Sequence, residues 1–217
     1  MLHALAYAFV DAVNVLLIGV LVALAMMSAK GRYGPVAALL VFGDWLGVLG
    51  TALVVLLAFD GLGEFVKHIV DSPLFGVLLI LAGVATMVLT IRGGDSSALI
   101  NRILEPLRSP SPLTVLVGIV LGVIQSVTSV PFFAGLAVLS ASEVPPLQRY
   151  LGLFLYATVA LSLPILAALL LALVRRAPDS FISRGFDVAR ANKEAVVLGA
   201  GYLVSVLLIG IGVLRLM

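Results

Sequence analysis

Residues 4–29 read ALAYAFVDAVNVLLIGVLVALAMMSA, an apolar run broken by one polar notch, Asp11-Ala12-Val13-Asn14. A carboxylate three residues before an amide falls on the same helix face about one turn away. A run of this length matches the roughly 20 residues needed to cross the hydrocarbon of a bilayer. An aspartate near the middle of a spanning helix costs about 2.5 to 3.5 kcal/mol on insertion scales, so it is expected to face protein or water and to have a role. Counted from Ala4, Asp11 lies about 10 to 12 Å into the helix at 1.5 Å per residue, deep for a residue that only caps or hydrates an interface.

The rest of the chain agrees with that reading. Of its 217 residues 62% are hydrophobic and 11% charged, with a mean hydropathy of +1.25; soluble domains carry about 25% charge. Uninterrupted apolar runs exclude the alternating pattern of a β-barrel, leaving an all-α integral membrane protein. Six such runs occur, at about 4–29, 35–59, 73–91, 113–141, 150–174 and 195–217. The start of the chain has neither a charged leader nor a small-residue cleavage site, so the first run is expected to be a retained helix.

Lys and Arg set the expected topology. Lys30, Arg32, Arg92, Arg102, Arg108, Arg175, Arg176, Arg184, Arg190 and Lys193 follow the odd-numbered runs, against only Lys67, Arg149 and Arg215 on the other side. This bias places both termini outside the cytoplasm, and it assigns the basic pI to topology, with no nucleic-acid partner. Cysteine is absent, which excludes disulfides, thiolate metal sites and thiol redox relays. His68, among Glu64, Lys67 and Asp71 in the outer segment 60–71, has no second histidine at ligand spacing, so no metal site or cofactor is expected. In the cytoplasmic loops, 97–107 and, more weakly, 179–194 have helical apolar spacing that fits either a surface helix or a solvated connector.

The second half restates the first. Its opening run holds Gln125-Ser126-Val127-Thr128-Ser129-Val130-Pro131, and a ring nitrogen that cannot donate, with a clash at the carbonyl four residues back, predicts a kink or break between Ser126 and Pro131. Pro164 should likewise disturb the fifth run. Three spans per half is an odd number, so the halves are expected to be inverted repeats: one membrane domain over 1–217, with repeat 1 at about 1–92, a connector at about 93–112 and repeat 2 at about 113–217. Asp44, about 14 Å into the second run, would stand within about 4 Å of Asp11 in height. A shared site with proton coupling is the expectation. Gly43 and Gly47, and Gly118 and Gly122, are four apart and read as helix-packing contacts.

Asp11-Ala12-Val13-Asn14 resembles the aspartate-x-x-asparagine-proline signature of the lysine exporter (LysE) superfamily. The segment 131–142, together with Tyr156 and Leu163-Pro164, is similar to its glycolipid-addressing (sulfolipid-addressing) branch. Val15 stands where that family has proline, and Ala157 where it has asparagine after the tyrosine. The resemblance implies an inner-membrane exporter that moves envelope glycolipids, and no enzyme. Its site would use Asp11 and Asp44 as proton or ion carriers, with Asn14, Gln125, Ser126, Thr128, Ser129, Pro131 and Tyr156 around the substrate. The expected partners are membrane lipids, a lipid or small-molecule substrate, and a second copy or an export machine. Three alternatives stay open: an exporter of a small solute such as an amino acid or metal cation, an accessory subunit of an export machine, and an intramembrane enzyme. The last would need phosphate-binding cations, and no Lys or Arg lies within the first five runs.

Overall fold

A computed structural model describes residues 2–28, 32–92, 107, 109–176 and 191–216. All regular elements among them are helices: α1 (Leu2–Asp11), α2 (Val15–Met27), α3 (Tyr33–Gly61), α4 (Gly63–Asp71), α5 (Pro73–Arg92), α6 (Pro112–Thr128), α7 (Val130–Ser140), α8 (Pro146–Ala160), α9 (Ser162–Arg176) and α10 (Lys193–Leu216). All of the 97–107 surface-helix expectation but Leu107, most of the 179–194 one and most of the connector lie outside the described residues.

Two helices, α3 and α5, are by themselves long and apolar enough to cross a membrane. The number rises to five when each bent pair, α1/α2, α6/α7 and α8/α9, is counted as one span. The sixth expected run coincides with α10, whose described apolar stretch, Tyr202–Leu214, is shorter than a crossing. Large apolar side chains including Val54, Phe65, Leu151, Leu169 and Leu214 are exposed, an outer surface compatible with lipid.

Glycine decides which helices touch. On α3 and α6, a Cβ at Gly43 would lie 3.0 Å from the Val115 Cα, at Gly47 3.0 Å from the Gly122 Cα, at Gly118 2.9 Å from the Gly43 Cα, and at Gly122 3.0 Å from the Val48 backbone nitrogen. Backbone therefore meets backbone, which only residues without a side chain allow. The paired glycines are packing contacts, as their spacing predicted, and they also hold the Asp44 turn against the Gln125 turn. A second close pair joins α5 to α10, where a Cβ on Gly83 would meet the Ser205 carbonyl at 2.9 Å and one on Gly212 the Gly76 carbonyl at 2.8 Å. Further contacts join α1 to α7 and α8, and α2 to α9. The short amphipathic α4 buries Val66 and Val70 and packs on α5 and α7, leaving Lys67 and His68 exposed.

The three bends have readable local causes. Between α6 and α7 the axis turns by 76°; Pro131 sits in the first turn of α7, where a missing N–H is harmless, and the Ser129 hydroxyl accepts the Phe132 N–H at 3.2 Å as an N-cap. Between α1 and α2 the turn is 42°, and it occurs without proline. Here Asn14 is the cap, its side-chain oxygen accepting the Leu17 N–H at 2.9 Å. The α8/α9 bend of 44° falls at Leu161, three residues before Pro164.

Candidate functional site

The two capped breaks face one cavity of about 290 Å³. Its wall takes Val10 and Asp11 from α1, Val13 and Asn14 from the first break, Val15 and Leu16 from α2, Gln125 and Thr128 from α6, and Ser129, Val130 and Pro131 from the second break and α7. Val48 of α3, Thr86 of α5, Ala160 and Leu161 at the α8/α9 bend, and Val204 and Leu208 of α10 complete it. Every long helix or bent pair thus contributes to one space, with polar groups concentrated where the helices are interrupted.

Two hydrogen-bond chains run along this wall. In the first, the Gln125 Nε2 donates to the Asp44 Oδ2 at 2.7 Å, the Asn14 Nδ2 donates to the Gln125 Oε1, and the Asn14 oxygen caps α2. A carboxylate on α3 is therefore tied through two amides to the start of a half-helix. In the second, the Ser129 Oγ donates to the Asp11 Oδ1 while accepting from Phe132, joining the end of α1 to the start of α7.

The nine residues singled out from sequence divide into two groups. Asp11, Asn14, Gln125, Thr128, Ser129 and Pro131 line the cavity. Thr128 is exposed to it, although its hydroxyl donates back to the Ile124 carbonyl at 2.9 Å. Asp44, Ser126 and Tyr156 do not line it and are buried. Asp44 sits behind Gln125, with its Oδ1 lacking a partner. Ser126 is three residues before the break on the inner face of α6, its hydroxyl also without a partner. Tyr156 packs edge-on to Phe132 and donates to the Phe132 carbonyl at 3.3 Å. The lack of a side chain at Gly135 makes room for that ring, since a Cβ there would lie 2.8 Å from the Tyr156 hydroxyl. Tyr156 thus supports α7 from behind.

Sequence reading missed the apolar wall from Val48, Val204 and Leu208 and the polar contribution of Thr86, which nothing in its local pattern marks. It also missed a second polar group at the far end of α7. There the Arg149 Nη1 donates to the Asp60 Oδ1 and to the Ser140 carbonyl, both at 2.8 Å, the Ser140 hydroxyl donates to Asp60 at 2.7 Å, and the Tyr150 hydroxyl donates to the Asp60 Oδ2 at 2.9 Å.

Comparison with known protein families, with curated proteins and with solved structures finds no match.

Proposed function

We propose that the chain is a secondary exporter of the inner (plasma) membrane, built as six spans in two inverted three-helix repeats with both termini extracytoplasmic. It moves a cell-envelope glycolipid or lipid-linked precursor, with proton coupling through Asp11 and Asp44. The observation that carries this reading is the convergence of two interrupted helices, one from each half, on one cavity whose polar groups, Asp11 among them, gather at the two breaks. Broken helices meeting near mid-membrane, with irregular backbone lining a cavity, are the usual construction of a secondary-transporter site. The packing supports the repeat: exchanging the first three spans for the last three turns the α3–α6 contact into contacts of α1/α2 with α8/α9, and leaves the α5–α10 contact as it is. The resemblance to the glycolipid-addressing branch of the LysE superfamily supports the substrate class.

Ligand pockets for drug-sized molecules run from about 300 to 1,000 Å³, so a cavity of about 290 Å³ suits a head group and not a whole lipid. Its lip, at Val15, Thr128 and Val130, is exposed, which supports a lipid whose tails stay in the bilayer. The same volume also suits a small solute, and that is the second reading.

Proteoliposomes containing this chain alone, loaded with head-group-labelled envelope lipids or with amino acids and given a pH gradient, test both readings. Gradient-dependent movement of the lipid probe supports the first and movement of the solute alone the second. Movement of neither, with activity restored only by other membrane proteins, replaces both with an accessory role.

A further inference from the structure

The two half-helices that start at the cavity end in similar ways. The end of α7 is held by Arg149, from the first turn of α8, which reaches the Ser140 carbonyl and pairs with Asp60 at the end of α3. The end of α2 is held by Arg175, from the last turn of α9, whose Nη1 donates to the Ala25 carbonyl and whose Nη2 donates to the Ser28 carbonyl at 2.6 Å. The Arg175 guanidinium also lies 5.7 Å from the centre of the Tyr33 ring at the start of α3. Cations at helix C-termini meet the negative end of the helix dipole and satisfy carbonyls the helix cannot. A single arginine performs this at each place.

Both arginines belong to the bent pair α8/α9. Along the chain they are separated by about 39 Å of helical path at 1.5 Å per residue, enough to set them at opposite faces of a bilayer. Between them lies the 44° bend at Leu161, where Ala160 and Leu161 form part of the cavity wall. One bent element therefore touches the cavity at its middle and grips one half-helix at each end. The α3 helix runs alongside and supplies the second partner at both ends, Asp60 and Tyr33.

We propose that Arg149 and Arg175 are the two latches of the cavity, each pinning the far end of one half-helix, so that release of one opens the cavity to its own face while the other stays shut. This rests on the carrier reading above and adds how access to that site is controlled. Both latches are closed in this structure. Such latches have two discrete arrangements, made and broken, as a gate requires, and the α8/α9 bend is the hinge about which they alternate.

The absence of cysteine allows a direct test in the full chain. Val13→Cys places one thiol on the cavity wall, to be labelled by a membrane-impermeant maleimide from either face of oriented vesicles. Arg149→Gln is expected to raise the labelling rate at least about tenfold from the Arg149 face alone, since losing even one of its two charge-assisted hydrogen bonds changes a two-state population by that factor. Arg175→Gln is expected to do the same from the opposite face alone. Should a glutamine variant fail to fold, Asp60→Asn with Tyr150→Phe at one end and Tyr33→Leu, which removes the ring under the Arg175 guanidinium, at the other loosen each latch with its arginine in place. Unchanged labelling in folded variants, or equal increases from both faces, overturns the latch assignment and leaves the arginines as helix caps. Transport by the parent protein in proteoliposomes is scored separately. Its absence overturns the carrier reading, whereas face-specific labelling decides the latches whatever the substrate.

Discussion

Gln125 holds the centre of the site together, and its replacement by leucine, close to it in size, should show by how much. Its Nε2 donates to the Asp44 Oδ2 at 2.7 Å and its Oε1 accepts from the Asn14 amide. Leucine removes both bonds. Interhelical hydrogen bonds in membrane proteins average about 0.6 kcal/mol and reach about 1.7, which puts the two bonds at about 1 to 3 kcal/mol. Asp44 is fully buried and its Oδ1 already lacks a partner, so losing the Gln125 donor leaves the whole carboxyl group unpaired, a further cost of about 1 to 3 kcal/mol. Together these give about 2 to 4 kcal/mol after allowing for relaxation, or about 4 to 16 °C in Tm for a chain of this size. Thermal unfolding of the purified protein in detergent measures it. The companion variant Asp44→Leu, and the double replacement, complete a cycle: removing both partners should cost less than the sum of the single changes, with a coupling of about 0.5 to 3 kcal/mol. Additive effects, or a Gln125→Leu protein within about 0.5 kcal/mol of the parent, would refute the argument that this amide joins α3 to the first break.

Gly122→Leu should separate α3 from α6, because its side chain would start 3.0 Å from the Val48 backbone nitrogen; a lower Tm, and a larger distance between spin labels on the two helices, are the expected readouts. Asn14→Ala removes both the cap of α2 and the hydrogen bond to Gln125 and should cost about 1.5 to 3 kcal/mol, with Asn14→Ser recovering the cap part of it in the same unfolding assay. Pro131→Ala should leave the 76° bend in place, since the Ser129 cap remains and the first break forms without proline; spin-label distances across α6 and α7 that lengthen to those of a straight helix would contradict this. Asp11→Asn and Asp44→Asn should each change the pH profile of transport, and unchanged profiles in both variants would remove the carboxylates from the coupling scheme.

Much of the helical layout was readable because lipid imposes a severe rule. Backbone groups must be satisfied within a helix, so long apolar runs have one outcome, and a charge inside such a run stands out. Pro131 announced its break because a ring nitrogen cannot donate. The first break was harder to see: Asn14 is a good N-cap, but a cap is indistinguishable in sequence from any polar residue on a helix face until the chain is seen to turn. The division of the nine residues also eluded sequence reading, since Ser126 and Ser129 differ by three positions and only the 76° bend between them turns one inward and the other toward the cavity.

The amino-acid order alone determined that the chain forms helices apolar enough to cross a membrane, with acids at Asp11 and Asp44 and an interruption near Ser129, because those features depend on the transfer of single groups between water and hydrocarbon. Tertiary structure decided which interruptions meet, that Asp44 reaches the cavity through Gln125, and that Arg149 finds Asp60 at 2.8 Å. These are contacts between residues about 80 to 120 positions apart; glycine-to-glycine packing sets the one between α3 and α6, and the spacing of the glycines marks a packing face in the sequence without naming its partner.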